Sequence, residues 1–236
     1  MGIGRLHRQS PPARPLVAFD FDGTLTVRDS YTAFLRWRAG PWRYALAIAA
    51  LAPDLVAYLW RRDRGRLKAA LTSRLLRGAS RAALEADAER FAAATFERLI
   101  RPDALAAWRA HDEAGHLKAI VTASPDLVVA PFARRLGAEA LIGTRLAFDA
   151  QGLATGGFDG ANCRGVEKVI RLEAVFGGGI RPTAAYGDTS GDREMLARAD
   201  EPGFRVFTAR PGSTSVRRRG DRGWGRAARP GRAARS

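Results

Sequence analysis

At 236 residues, 46% of them hydrophobic and only Cys163 a cysteine, the chain suits one large α/β domain or a core with an inserted subdomain, and an internal disulfide is excluded. The net charge of +15 is unevenly placed: residues 211–236 hold eight arginines against one acid, Asp221, among Gly, Pro, Ser and Ala, with little to bury except Trp224. That stretch is expected to be a disordered Arg-rich tail, able to meet RNA or an anionic membrane and the one route to nucleic acid.

Residues 1–15 carry Arg5, Arg8 and Arg14 but no apolar run, so they read as a flexible basic arm and not as a secretory signal. With a single thiol, this points to a reducing, cytoplasmic setting. Val17-Ala18-Phe19 is a short apolar run and reads as a buried strand. It stops at Asp20 and Asp22, followed by Gly23 and Thr24. In an open α/β sheet the site lies beyond the carboxyl ends of the strands, so this strand delivers two carboxylates into that crevice. Two close carboxylates repel unless a cation sits between them or one is protonated. Gly23 lets the chain turn, and the turn exposes backbone N–H groups that suit an oxyanion.

From Ser30 to Arg101 the pattern becomes helical. Segments 31–39, 42–60, 64–76 and 81–99 are rich in Ala, Leu and Arg, with boundaries at Gly40-Pro41, Pro53, Gly65 and Gly78-Ala79-Ser80. Helices at 31–101, inserted after the first strand, read as a cap that excludes water and adds substrate contacts. Within the cap, Tyr44–Trp60 is strongly apolar and flanked by Arg43 and by Arg61-Arg62. Pro53 and Asp54 interrupt it, which argues against a membrane span. A buried helix pair and a face lying in the bilayer interface both stay open.

Pro102–Gly115 reads as a helix. His111 and His116 stand five apart, where helical metal pairs stand three or four apart, so a zinc pair is not expected. Leu117–Val121 reads as the second strand. Beyond it, Thr122 is the candidate phosphate ligand and Ser124 the N-cap of a helix opening at Pro125. Leu141–Phe148 and Leu153-Ala154-Thr155 read as a strand and hairpin around Asp149–Gly152. A helix running to Phe176 carries Lys168 near its start, an unusual place for a lysine unless it faces an anion. A short strand ends at Gly187-Asp188, Asp192 opens the next helix, and Phe204–Phe207 reads as a last strand.

The series Asp20-x-Asp22-Gly23-Thr24, a strand ending at Thr122, then Lys168, then Gly187-Asp188-x-x-x-Asp192 resembles the four signatures of the haloacid dehalogenase-like superfamily over residues 16–208. The helical insertion resembles the cap of the branch containing phosphoserine phosphatases, subfamily IB. The wording around the motifs is similar to the bacterial group that includes phosphatidylglycerophosphatase C. The resemblance implies a Rossmann-like parallel sheet core at 16–30 and 102–210 with 31–101 as its cap. It implies a Mg²⁺-dependent phosphomonoester phosphatase. Asp20 is then the nucleophile that forms an aspartyl-phosphate, and Asp22 the general acid and base. Thr122, Lys168, Gly23 and Thr24 face the phosphoryl group. Asp20, the Asp22 backbone carbonyl and Asp188 hold the ion, with Asp192 in support.

Two departures bear on the substrate. Asp29 stands where phosphoserine phosphatases carry a substrate-binding glutamate, and Thr122-Ala123-Ser124 replaces their Ser-Gly-Gly. Both weigh against phosphoserine, and the arginine-flanked apolar cap segment Tyr44–Trp60 turns the expectation toward a lipid phosphate such as phosphatidylglycerophosphate, with peripheral membrane contact through the cap. A small soluble metabolite, phosphoserine or histidinol phosphate, is the alternative. The reading from another class is a basic module binding RNA or membrane through its tail, and truncation after Arg210 separates the two.

Overall fold

The computed structural model describes residues 14–51 and 64–212. Most of the basic arm, the Pro53–Trp60 half of the apolar segment and the tail arginines lie outside the described residues.

Strand β1 (Leu16–Phe19) is buried at every position, as an unbroken apolar run must be when it is paired on both sides. The helical run α1 (Ser30–Ala49) follows and is broken at Gly40, whose φ of 75° no helix accommodates, just before Pro41. Next come α2 (Arg64–Leu76), α3 (Arg81–Leu99) with Ser80 as its N-cap, and α4 (Pro102–Glu113). Gly65, expected as a boundary, lies within the first turn of α2. Among the described residues, no helix is long and apolar enough to cross a membrane.

The remaining strands are β2 (Leu117–Pro125), β3 (Ala140–Phe148), β4 (Ala154–Asp159), β5 (Ala184–Gly187) and β6 (Glu201–Phe204). They form one sheet in the order β4-β3-β2-β1-β5-β6, parallel throughout except for the β3–β4 hairpin. Helices α5 (Asp126–Leu136), α6 (Val166–Phe176) and α7 (Arg193–Arg198) connect them. This is the expected Rossmann-like α/β core.

The last strand ends where Phe204–Phe207 was expected to begin. Arg205 takes a left-handed φ of 52°, which turns the chain, and Phe207 packs on Phe19 and Tyr186 instead. Strand β2 also runs further than expected, through an irregularity between Val121 and Pro125, so α5 opens at Asp126.

Register sets the site. Phe19 pairs with Ile120 on one side and with Tyr186 on the other. The residues just beyond these three are Asp20, Val121-Thr122 and Gly187-Asp188, so they emerge together at the carboxyl edge. Below that edge Phe19 stacks on Tyr186 at 4.7 Å and meets Trp108 at 4.9 Å. His111 lies 3.0 Å from His116, Nδ1 to Nδ1, and its Nε2 lies 3.0 Å from the Tyr186 hydroxyl.

The inserted helices share the apolar core of the sheet. Phe34 meets Phe91 at 5.6 Å, Phe91 meets Phe132 at 5.9 Å, and Phe132 meets Phe21 at 5.5 Å, a chain of rings from α1 through α3 and α5 to the turn after β1. Each fully buried ring contributes roughly 1.5–3 kcal/mol relative to exposure. Tyr31 and Thr72 join α1 to α2 by a hydroxyl pair at 2.7 Å.

Candidate active site

Asp20 leaves β1 with its amide bonded to the Tyr186 carbonyl at 2.8 Å, which fixes its backbone against β5. Its Oδ1 accepts from Lys168 Nζ at 2.6 Å, and its Oδ2 from the Thr24 hydroxyl at 3.3 Å. Lys168 reaches this point from the first turn of α6. It is 1% exposed and spends its other two donors on the Val121 carbonyl and on Asp192 Oδ1, each at 2.6 Å. The anomalous lysine of the sequence is thus a buried cation between two carboxylates.

Asp192 is fully engaged. Its Oδ2 accepts from the amides of Asp188 and Thr189 at 3.2 and 2.9 Å and from the Thr189 hydroxyl at 2.8 Å. Asp188 is different: its Oδ1 is buried and has no hydrogen-bond partner among the described residues. Its other oxygen presses on Gly23, where a Cβ would lie 2.3 Å from Oδ2, and Gly23 has a φ of 83°. Glycine is therefore required there both for space and for backbone conformation. Asp20, Asp188 and Asp192 each offer one oxygen, and these oxygens lie within 4.8 Å of one another.

Burial pushes the Asp20 carboxyl up to about 7; Lys168 pulls it down, while Asp192 and Asp22 push it up further. Burial alone would lower Lys168, but Asp20 and Asp192 more than offset that and hold it above the ordinary lysine value. Burial also raises Asp192, yet Lys168 and the Thr189 hydrogen bonds leave it below the ordinary aspartate value. Asp188 is raised, by burial first and by Asp192 second. The centre thus holds more buried negative charge than one lysine balances.

Asp22 takes its hydrogen bonds from residues other than Lys168. Its Oδ1 accepts from the Ser30 amide at 2.6 Å, and its Oδ2 accepts from the Ser124 hydroxyl. Burial, then the nearby Asp29 charge, raises it to about 6, against the Ser124 and Ser30 hydrogen bonds. Ser124 was expected as a helix cap and is not one: α5 has Pro125 at its N-cap without a side-chain bond. Thr122 is fully buried, and its Oγ1 accepts from the Ser124 amide at 3.0 Å. The Gly23 amide donates to Thr26 Oγ1 at 3.3 Å. Asp29 is exposed and N-caps α1 by accepting from the Thr32 amide at 2.6 Å.

Three further residues frame the site without having stood out in the sequence. Lys68 reaches from α2 to the Ala123 carbonyl at 2.6 Å, its ammonium 5.3 Å from the rings of both Tyr31 and Phe158. Burial lowers its pKa, while Asp29 and Asp22 act to raise it. Arg101 Nε donates to the carbonyls of Gly23 and Thr26 at 3.2 and 3.1 Å, holding the turn after β1. Arg205 Nε donates to the Asp188 carbonyl at 2.7 Å. The Thr122-Ala123-Ser124 departure was the one signal that marked this side of the site in advance.

The family model of haloacid dehalogenase-like hydrolases matches residues 17–197. The chain is 59% identical over 196 residues to Protein CicA of Caulobacter vibrioides, covering 83% of this chain and 88% of that protein. A solved protein of unknown function from Bordetella pertussis Tohama I is similar at 28% identity and a TM-score of 0.65, over 78% of this chain and 86% of that one. A phosphoserine phosphatase, solved as a phospho-aspartyl intermediate analogue, shares the fold at 22% identity and a TM-score of 0.50, over 79% of this chain and 83% of that one. With its acids gathered at the strand ends and the family pattern running through most of its length, the chain belongs to the haloacid dehalogenase-like hydrolase family.

Proposed function

We propose that this hydrolase is a Mg²⁺-dependent phosphomonoester phosphatase that works through an aspartyl-phosphate on Asp20. The observation that carries the reading is the oxygen cluster of Asp20, Asp188 and Asp192, together with a buried Asp188 Oδ1 that has no hydrogen-bond partner among the described residues. An all-oxygen donor set suits a hard divalent cation, and the surplus buried charge calls for one. Asp20 and Asp188 would hold the ion together with the Asp22 carbonyl, and Asp192, whose oxygens are already engaged, would support from behind. When bound, Mg²⁺ supplies the positive charge that lets a phosphate dianion approach the nucleophile.

The chain's own residues then divide the work. Asp20 attacks phosphorus, and the ester oxygen leaves with the proton of Asp22. Asp22 next takes a proton from the water that attacks the aspartyl-phosphate, releasing phosphate and restoring Asp20. Ser124 and the Ser30 amide fix the Asp22 carboxyl for both steps. Lys168 and Thr122 face the phosphoryl oxygens where charge develops, with the turn at Gly23 and Thr24 beside them. Ser124→Ala should lower kcat roughly tenfold for an alkyl phosphate, since a hydrogen bond to a charged group contributes about 1.5–3 kcal/mol. The urea midpoint should also fall modestly, because the same bond is made in the folded state, and an unchanged kcat would remove Ser124 from the mechanism.

For the substrate we favour a lipid phosphate such as phosphatidylglycerophosphate. The Asp29 side chain is committed to a helix cap, and the cap helix α1 carries exposed Trp42 and Leu46. Lys68 brings a cation beside Asp22 that suits a second anionic group on the substrate. The test is a substrate panel with and without metal. Chelation should abolish hydrolysis of every member and Mg²⁺ should restore it. Phosphatidylglycerophosphate in detergent should exceed phosphoserine and histidinol phosphate in kcat/KM. Preference for either soluble ester would shift the substrate class, and full activity under chelation would end the metal reading.

A further inference from the structure

Helix α1 starts at the site, where the Ser30 amide holds Asp22, and carries an unusual surface away from it. Beyond the break at Gly40, the run buries Ala47 and packs Tyr44 and Ile48 against the core, and Leu51 just past its end is buried too. The opposite side presents Trp42 at 83% exposure and Leu46 at 70%, four residues apart and so neighbours on one helix face. Trp37, at 39%, precedes the break. An exposed side of a water-facing helix ordinarily carries mixed charges and few large apolar groups.

Charge indicates what covers this face. From Ser30 to Leu51 there is no acidic residue, and the cations are Arg36, Arg38 and Arg43. Arg38 is engaged with Asp87 and the Leu75 carbonyl. Arg36 and Arg43 are exposed and form no ion pair among the described residues. On a chain of net charge +15, such a face repels a second copy of itself. It fits a surface both apolar and negatively charged. Tryptophan favours the level of lipid headgroups, and arginine pairs with phosphate in two parallel hydrogen bonds.

We infer that the Trp42–Leu46 face of α1, with exposed Arg43 beside it in the helix and exposed Arg36 before the break, docks on an anionic phospholipid bilayer. The docking is independent of the phosphatase reading, because vesicles without any phosphomonoester lipid measure it, and either can fail alone.

The full-length chain is cosedimented with vesicles of phosphatidylcholine containing roughly one third phosphatidylglycerol, and with vesicles of phosphatidylcholine alone. The chain should bind the anionic vesicles and much less the neutral ones. Trp42→Ala combined with Leu46→Ser, which keeps the basic tail and leaves the core untouched, should weaken binding about tenfold or more. Arg36→Gln combined with Arg43→Gln should weaken it to a similar degree, at about fivefold for each charge near the surface. Turnover of a soluble aryl phosphate should be unchanged in both. Wild-type binding by the Trp42/Leu46 variant, as expected if the tail alone binds or another segment of the chain covers the face, overturns the inference. So does a wild-type chain that binds neither vesicle. If the apolar variant does not melt cooperatively, the arginine pair decides, and its unchanged binding is equally fatal.

Discussion

Asp20→Asn is expected to lose phosphomonoester hydrolysis by roughly 10³-fold or more in kcat while keeping the fold. The substitution changes one oxygen to an amide without altering volume. The Thr24 contact and the backbone bond to Tyr186 survive it. What disappears is the nucleophile and one of the ligand oxygens of the acid cluster. Steady-state turnover of an aryl phosphate, with circular dichroism as the fold check, reads both properties. An aryl phosphate is the right substrate because its leaving group needs little protonation, so the loss reports on Asp20 and not on Asp22. Residual turnover within tenfold of wild type would remove Asp20 from the chemistry.

Lys168→Met carries the second large effect, and it falls on stability as well as rate. Methionine matches the lysine stem but supplies none of its three bonds, to Asp20, Asp192 and the Val121 carbonyl. Two buried carboxylates then face each other without compensation. Removing one partner of a buried ion pair costs about 3–5 kcal/mol, so the urea midpoint should fall well below wild type at neutral pH. Added Mg²⁺ should recover part of that loss, because a cation at the acid cluster does some of the work of the ammonium. An unchanged midpoint would mean that Lys168 is not the counter-charge of the site.

Both expectations rest on residues that stood out in the sequence, and the reason is physical. Asp20, Asp22 and Asp188 are polar groups placed at the ends of apolar strands, and a parallel sheet aligns such ends wherever its register is set by neighbouring buried residues. Lys168 was visible because a cation in the first turn of a helix runs against the helix dipole. The helix break at Gly40 and the hairpin around Asp149–Gly152 were legible from turn chemistry alone.

Long-range partners were not legible in this way. Ser124 bonds to Asp22 across 102 positions, and nothing local separates that serine from an ordinary cap. Lys68 meets Ala123 across 55 positions from a helix crowded with Arg and Lys, where its neighbours look equally basic. The resemblance alone points Asp29 to the substrate, and in the structure its side chain caps α1. The last strand was misplaced because Phe207 is apolar for a different reason: it stacks below the sheet edge with Phe19 and Tyr186. For Ser124, Lys68 and Phe207 the deciding contact is tertiary and lies outside any window of sequence, whereas the Asp29 cap on Thr32 spans only three positions.

The covalent step can be caught directly. With an aryl phosphate as substrate, the Asp22→Asn variant should still transfer the phosphoryl group but should hydrolyse the acyl phosphate slowly, because the base that activates water is gone. Acid quenching followed by borohydride reduction turns an aspartyl-phosphate into homoserine, which mass spectrometry assigns to a position. Homoserine at residue 20, present only when both Mg²⁺ and substrate are supplied, is the predicted result. Substrate turnover with no homoserine at that residue, or with the label on another side chain, would contradict it.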